Sequence, residues 1–342
     1  MKAAVLEKLN SPLVVDDLEI PHLECGQVLV EVKRSGICGA QIGEIAGVKG
    51  EDKYLPHLLG HEGGGIVVDV GPGVTKVKKN DHVVMHWRKG LGIEARPPKY
   101  KRNSGFVGGG WITTFNEFAV ISENRITPIP EDIPFEIAAL MGCAVTTALG
   151  LVNNEAQLKI GQSIAIAGCG GVGLNVIQGS AMVSAYPIIA IDLYDHKLKL
   201  AQEFGATHVI NSSKEDIRES VKGIAGKTGV DVFIDCTGNV EIIAQCYELT
   251  APKGRTIMVG QPKFENSLVL GSMVRNFTGK ILTDSQGGQT DPTIDIPRYL
   301  NIYRSGKLKL DRLITHRFSL DDINIAIEKI KNGETGRCII EF

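Results

Sequence analysis

The chain has 342 residues, a formal net charge of −2 and a charged fraction of 22%. This length favours two domains over one, because a single core seldom grows beyond about 300 residues. The near-zero charge favours neither nucleic acid nor a membrane surface as a partner. No apolar run reaches transmembrane length, and no secretory signal pattern is present. The seven cysteines lack disulfide-like spacing, which predicts a cytoplasmic protein.

From Met1 to about Ala144 the sequence predicts a β-rich, barrel-like domain. Short apolar runs are bounded by glycine, proline or charged residues, and Gly71-Pro-Gly73 predicts a tight connection between two of them. The predicted strands are Lys2–Val5, Gln27–Ser35, Gly65–Val70, Asp81–Met85 and Glu117–Val120.

The segment from Arg88 to Gly110 has no such periodicity and predicts a long loop or lobe. Its one acidic residue is Glu94. The basic residues of this basic lobe are Arg88, Lys89, Arg96, Lys99, Lys101 and Arg102. Two interpretations stay open: a solvated basic excursion, or a surface that attracts an acidic or phosphorylated substrate.

From about Val145 strands and helices alternate, which predicts an α/β fold with a doubly wound parallel (Rossmann) sheet. The pattern gives six strands with helical connections. The strands are the run that begins at Ser163, then Pro187–Ile191, His208–Ile210, Val230–Asp235, Gly254–Val259 and Lys280–Leu282. The helices are Leu174–Met182, His196–Phe204 and Lys214–Ala225.

A glycine-rich turn follows the first of these strands. Gly168, Gly170 and Gly173 fit the pattern G-x-G-x-x-G, whose backbone can approach a pyrophosphate at a helix N-terminus. Asp192 lies 19 residues after Gly173, close to the spacing of about 20 for the acid that binds the adenine ribose. A carboxylate there repels a 2′-phosphate, so the sequence favours NAD over NADP.

The C-terminal part contains two amphipathic helical patterns, around Ile296–Ser305 and Leu320–Lys331, and a final strand, Arg337–Phe342. The parallel sheet does not need these elements, so we expect them to rejoin the first domain. The predicted domains are therefore a catalytic, zinc-binding β-rich domain, 1–144 with 282–342, and an NAD-binding domain, 145–281.

Three possible metal ligands are far apart in the sequence, and each has a glycine neighbour: Cys38, His61 and Cys143. Two thiolates and an imidazole are good zinc ligands, and three protein ligands leave a fourth position open. Each residue alone is more often an ordinary buried side chain. Together with a nucleotide turn, they indicate redox chemistry between an alcohol and a carbonyl.

Five motifs occur in order: Gly36-Ile-Cys-Gly39, Gly60-His-Glu-Gly63, Val70-Gly-Pro-Gly-Val-Thr75, Gly142-Cys143 and Gly168–Gly173. On these motifs the sequence resembles the zinc-dependent alcohol dehydrogenases of the medium-chain dehydrogenase/reductase superfamily, over essentially its whole length. The resemblance implies a GroES-like catalytic domain with one catalytic zinc on Cys38, His61 and Cys143. It also implies that Glu62 approaches the metal transiently.

The resemblance further implies NAD as cofactor. The implied NAD contacts are Gly168, Gly170, Gly171, Val172, Gly173, Asp192, Lys197, Cys236, Thr237 and Gly238, Val259, Gly260 and Arg337. Asp192 and Lys197 are expected to hold the ribose, and Arg337 to neutralise the pyrophosphate; the other interpretation of Arg337 is a surface arginine. Ala40, Trp87 and Thr147 match positions that line the substrate pocket.

Two departures from the family pattern bear on chemistry. The basic lobe has no cysteine, so a structural zinc is predicted absent. Ala40 stands where relatives have a hydroxyl that passes the substrate proton to solvent, and Gln41 where they have an acid. The candidate replacements for the proton relay are Glu62, His57, His86 and a water on the metal.

These features predict a zinc- and NAD-dependent dehydrogenase of a secondary alcohol, polyol or sugar-like substrate, and a homodimer or homotetramer. The alternatives are a zinc-free quinone or enoyl reductase of the same fold and a nucleotide-binding protein without turnover. A further alternative is an elimination or epimerisation in which tightly held NAD accepts a hydride only transiently.

Overall fold

The computed structural model describes residues 1–272 and 276–342. The fold comprises two compact units, a first unit of Met1–Thr146 with Asp291–Phe342 and a second unit of Thr147–Thr290. Among the described residues no single helix is long and apolar enough to cross a membrane, although one bent pair, Phe135–Met141 with Ala144–Glu155, passes that test on length and composition.

The elements are numbered in chain order. The strands are β1 Lys2–Leu6, β2 Val14–Asp17, β3 Gln27–Gly36, β4 His57–Leu58, β5 Glu62–Val70, β6 His82–His86, β7 Lys99–Arg102, β8 Gly105–Gly108, β9 Phe118–Ser122, β10 Ile126–Pro128, β11 Ile164–Ala167, β12 Ile188–Asp192, β13 His208–Asn211, β14 Val230–Asp235, β15 Thr250–Met258, β16 Ile281–Asp284, β17 Ile314–Ser319 and β18 Arg337–Glu341. The α-helices are α1 Gly39–Ile45, α2 Phe135–Met141, α3 Ala144–Gly150, α4 Gly171–Met182, α5 Asp195–Glu203, α6 Ile217–Ala225, α7 Val240–Glu248, α8 Pro292–Arg304 and α9 Ile323–Lys331. A π-helical turn covers Leu151–Glu155, and short 3-10 turns cover Glu123–Arg125, Gly287–Gln289, Asp311–Leu313 and Leu320–Asp322.

The first unit is built from two mainly antiparallel sheets, which confirms the predicted β-rich fold. One sheet has the order β2-β1-β4-β8-β7, and the other has the order β10-β6-β5-β3-β18-β17 with β9 also on β3. All five predicted strands of this region are present as β1, β3, β5, β6 and β9.

Strand β3 is the central strand of the larger sheet. It pairs with β5 along one edge, and with β9 and then β18 along the other. Val28, Val30 and Val32 alternate on its buried face and pack into an apolar cluster. The pairing of Ile340 with Ser35 brings the C-terminal strand to the end of β3, two residues before Cys38.

The second unit contains a six-stranded parallel sheet with the order β13-β12-β11-β14-β15-β16, as predicted. The buried faces of its central strands are apolar, as in parallel sheets covered by helices on both sides. The strand order reverses between β11 and β14, and ligands of such sheets bind outside the carboxyl ends at that point. The glycine turn Gly168–Gly173 follows β11, and Cys236 follows β14.

The basic lobe, for which the sequence predicts a long loop or lobe, contains one regular element, the hairpin β7–β8. Tyr100 and Val107 lie opposite each other in the ladder and are fully buried. The Tyr100 hydroxyl accepts a hydrogen bond from Val120 N at 2.9 Å. The alternation is hard to recognise in the sequence because the outward residues of β7 are lysines.

Acidic partners neutralise much of the positive charge of the lobe. Arg102 pairs with Glu7 and, at 3.2 Å, with Asp16. The Lys101 ammonium lies 3.4 Å from Glu19 and the Lys89 ammonium 3.5 Å from Glu94. These ion pairs favour a solvated, internally neutralised surface over a phosphate-attracting one.

The Glu123 carboxylate holds the base of the lobe together. Its Oε1 accepts hydrogen bonds from Thr75 N and Lys76 N at 2.7 and 2.8 Å, and its Oε2 accepts one from Ile93 N at 2.7 Å. Burial acts to raise the pKa of Glu123, but these backbone donors lower it below its ordinary value. A carboxylate thus ties the turn after β5 to a lobe that contains no cysteine.

Glu123→Gln is expected to lower the free energy of unfolding by about 2 kcal/mol, because three backbone donors lose a charged acceptor. The folded-state pKa of Glu123 is lowered, so its stabilisation is present above the unfolded-state pKa of about 4.3 and is lost as pH falls through the folded value. Denaturant unfolding should therefore show a difference in the free energy of unfolding between the wild type and Glu123→Gln that is smaller in acid than near neutral pH.

The control for this change is Glu131→Gln, since Glu131 is exposed on the same unit. An equal loss of unfolding free energy in both variants would contradict the role assigned to Glu123. So would a difference between the wild type and Glu123→Gln that does not depend on pH.

Candidate metal centre and nucleotide turn

Cys38 stands at the N-cap of the short helix α1, two residues after the end of β3. Its backbone N–H donates to Gln41 Oε1 at 3.0 Å, and Gln41 N donates to the Cys38 carbonyl at 3.1 Å. This reciprocal capping fixes the first turn of a helix that is too short to be stable alone. The Cys38 thiol is thereby held at a rigid junction.

The other two predicted ligands converge on Cys38. His61 directly precedes β5, and Cys143 lies between α2 and α3. One ligand atom from each of the three side chains lies within 4.8 Å of the others. Cys38 and Cys143 are 8% and 7% exposed, and His61 Nε2 is buried without a hydrogen-bond partner among the described residues.

This donor set fits a zinc ion. Two thiols and an imidazole nitrogen that lacks a partner are three of the four ligands of a tetrahedral site and leave one position open. The hydrogen bond from Cys143, with nearby His61 and Arg337, lowers the pKa of Cys38 well below its ordinary value. The hydrogen bond to Cys38 and burial raise the pKa of Cys143, so metal binding here must displace a proton.

Close packing explains the glycines beside the ligands. Gly60 has φ +91°, and a Cβ on it would lie 2.4 Å from Thr114 Oγ1. A Cβ on Gly142 would lie 2.4 Å from the Met85 carbonyl oxygen, and one on Gly36 would lie 2.6 Å from Glu62 Oε1. A larger residue at any of these positions would push a ligand or Glu62 out of place.

A buried ion pair borders the thiols. The Arg337 Nη2 donates to Glu62 Oε1, and the two side chains are 6% and 0% exposed. Burial raises the pKa of Glu62, although the charge of Arg337 opposes this, and the guanidinium pKa is raised by its negative neighbours. Arg337 is therefore not a surface arginine, and its contact with a pyrophosphate stays a prediction.

The two histidines considered for the proton relay have other partners. His57 lies 2.9 Å from both Asp52 Oδ2 and the Leu58 carbonyl through its two ring nitrogens. His86 contacts the Arg88 carbonyl at 2.7 Å and Thr127 Oγ1 at 2.9 Å, and burial lowers its pKa to about 3. Both rings serve structure in this arrangement, as does Glu62 in its ion pair.

Three residues were predicted to line the substrate pocket. Ala40 is half-buried in the first turn of α1. Trp87 directly follows His86, the last residue of β6, and His86 pairs with Glu62 of β5. The indole Nε1 of Trp87 is buried and has no hydrogen-bond partner among the described residues. Thr147 is 5% exposed and belongs to the second unit, so a common pocket for the three stays a prediction.

The glycine turn has the geometry of a phosphate-binding loop. Gly168 has φ +93°, and a Cβ on Gly173 would lie 1.9 Å from the Gly168 carbonyl oxygen. Apart from Gly170 and its two chain neighbours, no described residue has an atom within 4 Å of a Cβ on Gly170. Gly170 is the N-cap of α4, and Gly171 and Val172 are its first two residues. The N–H groups at the start of this helix therefore lie next to the open space beside Gly170.

Asp192 and Lys197 lie near this turn. Asp192 Oδ2 accepts a hydrogen bond from Cys169 N at 2.8 Å, and its Oδ1 accepts one from Tyr194 N at 3.1 Å. The Lys197 ammonium lies 5.1 Å from the centre of the Tyr194 ring. The carboxylate is thus fixed at the carboxyl end of β12, where a ribose could reach it.

Three of the predicted contacts form hydrogen bonds to one residue that sequence reasoning missed, Asp235: these are Thr237, Val259 and Gly260. The buried Asp235 carboxylate accepts hydrogen bonds from Thr237 Oγ1 at 2.6 Å and from Gly238 N at 3.0 Å. Its carbonyl accepts from Val259 N at 2.8 Å. Burial raises the pKa of Asp235. The sequence signal that could have identified Asp235 is an acidic residue at the end of an otherwise apolar strand, since a buried carboxylate needs hydrogen-bond partners.

Comparisons with known proteins agree with this geometry. Residues 24–131 match the family model of the alcohol dehydrogenase GroES-like domain, and residues 171–294 match that of the zinc-binding dehydrogenase. The chain is 32% identical to S-(hydroxymethyl)glutathione dehydrogenase of Paracoccus denitrificans over 375 aligned residues, with 100% of this chain and 99% of the relative covered. It is 31% identical to the class-3 alcohol dehydrogenase of Cereibacter sphaeroides at the same coverage.

Solved structures show the same fold. Benzyl alcohol dehydrogenase from Acinetobacter calcoaceticus superposes with a TM-score of 0.89 at 26% identity, with 100% and 99% of the two chains covered. A quinone oxidoreductase from Pseudomonas syringae gives a TM-score of 0.84 at 22% identity over 100% and 99% of the chains, a likeness of fold alone. The chain is an oxidoreductase of the alcohol dehydrogenase type. It belongs to the zinc-dependent alcohol dehydrogenase family of the medium-chain dehydrogenase/reductase superfamily, which confirms the resemblance.

The Glu62–Arg337 pair generates a stability prediction. Arg337→Met should lower the free energy of unfolding of the metal-free protein by about 3–5 kcal/mol, because it leaves a buried carboxylate without its partner. The double variant Glu62→Gln with Arg337→Met should recover part of that loss. Denaturant unfolding of the wild type, both single variants and the double variant gives the coupling energy, and a coupling near zero would contradict a buried ion pair.

Proposed function

We propose that the chain is a zinc- and NAD-dependent dehydrogenase, with one catalytic zinc, that interconverts an alcohol and its carbonyl. The observation that carries this proposal is the convergence of Cys38, His61 and Cys143, with donor atoms within 4.8 Å of one another and an imidazole nitrogen that has no partner in the described part of the chain. Zinc-free members of the same fold do not need this donor set, so it argues against a quinone reductase.

Each residue of the centre has a role in this proposal. Cys38, His61 and Cys143 would hold the metal, which supplies a Lewis acid for the C–O bond of the substrate. The burial of the thiols limits access of water, and the Glu62–Arg337 pair adds no net charge.

The nucleotide is assigned to the second unit. The free space over Gly170 and the N-terminus of α4 would bind the pyrophosphate of NAD. Asp192 would accept hydrogen bonds from the ribose hydroxyls and would repel the 2′-phosphate of NADP. Oxidation of the alcohol delivers a hydride to NAD and releases one proton.

The exit of that proton bears on the substrate. Ala40 has no group that can pass a proton, and the His57 and His86 rings are bound to other groups. We therefore propose that water or a second substrate hydroxyl carries the proton, which favours a polyol or sugar-like secondary alcohol. The names of the relatives add S-(hydroxymethyl)glutathione and benzyl alcohol to the compounds worth testing.

The purified protein is expected to contain about one zinc per chain and to reduce NAD, but not NADP, with at least one compound of a panel of polyols, sugars and the two named alcohols. Cys38→Ser and His61→Ala should abolish both the zinc content and the activity. Metal analysis and the absorbance of the reduced nicotinamide check this.

Cys25→Ser is the control, since Cys25 is an exposed thiol of the same unit. Full activity in a preparation without metal would overturn the proposal. Binding of NAD without turnover of any compound would favour the nucleotide-binding alternative, and NAD retained through purification would favour a transient hydride transfer.

We also propose that a second copy of the chain packs against the β16 edge of the parallel sheet. Strand β16 ends the sheet order, so its outer backbone groups are free to pair. Phe264, Val269 and Phe277, in the segment before it, are 80%, 76% and 89% exposed. So much exposed apolar surface in one segment is typical of an interface.

Light scattering is expected to give a mass at least twice that of one chain, and Phe277→Glu should shift the protein toward the monomer. Ile160→Glu, a change at an equally exposed apolar residue outside this segment, should leave the mass unchanged. A monomeric wild type would contradict the interface.

A further inference from the structure

We propose that the carboxamide of Gln41 opposes metal binding at the Cys38–His61–Cys143 centre, so that this centre binds zinc more weakly than it would with two acceptor oxygens at position 41. The inference rests on the metal site of the proposed function. It concerns a residue that binds neither metal nor substrate and acts through the hydrogen bonds of His61 and Cys38.

Gln41 is 1% exposed and has both ends of its amide engaged. Its Oε1 accepts the Cys38 N–H at 3.0 Å, and its Nε2 donates to His61 Nδ1. When Nδ1 accepts a hydrogen bond, a neutral imidazole carries its proton on Nε2. Since Gln41 occupies Nδ1, the nitrogen left to bind the metal is Nε2, which is buried and has no hydrogen-bond partner among the described residues.

Metal binding reverses this requirement. A neutral imidazole that binds a metal through Nε2 carries its proton on Nδ1, and this N–H needs an acceptor. Gln41 has one acceptor oxygen and two N–H donors, and the Cys38 N–H already occupies the oxygen. Rotation of the amide would turn an N–H donor toward the Cys38 N–H.

The amide therefore faces two donors in the metal-bound state and can satisfy only one of them well. This conclusion holds for either orientation of the amide, because Cys38 N–H and His61 Nδ1–H are both donors. A buried donor without a partner destabilises the state that contains it, because that donor has lost its hydrogen bonds to water. A glutamate of the same shape has two acceptor oxygens and would satisfy both groups.

Gln41→Glu is the decisive variant. Its zinc dissociation constant, measured by competition with a chromophoric chelator, should be about 10–100-fold lower than that of the wild type. Gln27→Glu is the matched control, because Gln27 is also buried and also uses its amide oxygen and nitrogen, toward Glu24 N and the Arg96 carbonyl. Gln27 begins β3, at the opposite end of the strand from Cys38, so the affinity of this variant for zinc should equal that of the wild type.

The outcomes separate this inference from the proposed function. If the wild type and both variants bind no zinc, the proposed metal centre fails. If the wild type binds zinc and Gln41→Glu binds it equally well or more weakly, the role of Gln41 is overturned and the metal centre stands.

A second measurement needs no variant at Gln41 and decides the matter if Gln41→Glu does not fold. Nitrogen-15 spectra of histidine-labelled protein give the tautomer of each ring, and His61→Ala identifies the signal of His61. The addition of zinc is expected to move the His61 proton from Nε2 to Nδ1. A proton on Nδ1 before zinc is added would overturn the inference.

Discussion

The ion pair between Glu62 and Arg337 is the interaction on which the metal centre of the first unit depends. Two thiols and a carboxylate lie together in a place with almost no access to water, and such groups repel one another unless a cation is present. Arg337 supplies that charge from the first residue of β18, while Glu62 begins β5. Because β5 and β18 both pair with β3, the sheet brings these distant parts of the chain together.

Structural features that arise from local patterns were mostly predictable from the sequence. Apolar runs gave the six parallel strands, and their order agrees with the handedness and short connections of such sheets. The hairpin in the basic lobe was not predicted from the sequence. Tyr100 and Val107 are its buried residues, and the charged residues around Tyr100 (Lys99, Lys101 and Arg102) make the apolar alternation hard to recognise. Helix α1 was also not predicted, because its stability comes from the capping contacts of Cys38 and Gln41 rather than from its own composition.

The part of the candidate site that could be predicted from the sequence is the part whose residue types indicate a specific chemistry. Cysteine and histidine beside glycine pointed to a metal, and the structure brings all three together. Long-range partners were not predictable from spacing. The sequence gives no sign that Arg337 meets Glu62, since their pairing depends on the register of β18 against β3. Asp235 likewise organises the turn after β14 through contacts that only the end of a folded strand creates.

The neutral residues Ala40 and Gln41 have related consequences for the chemistry of the centre. Thiolates at Cys38 and Cys143 would balance the charge of a zinc ion, and the charges of Glu62 and Arg337 balance each other. An amide at position 41 adds no charge through His61, so a bound metal would keep more of its electrophilic character than it would beside a carboxylate. Ala40, in the first turn of the same helix, has no group that can pass a proton, which is why we propose that water or a substrate hydroxyl carries it.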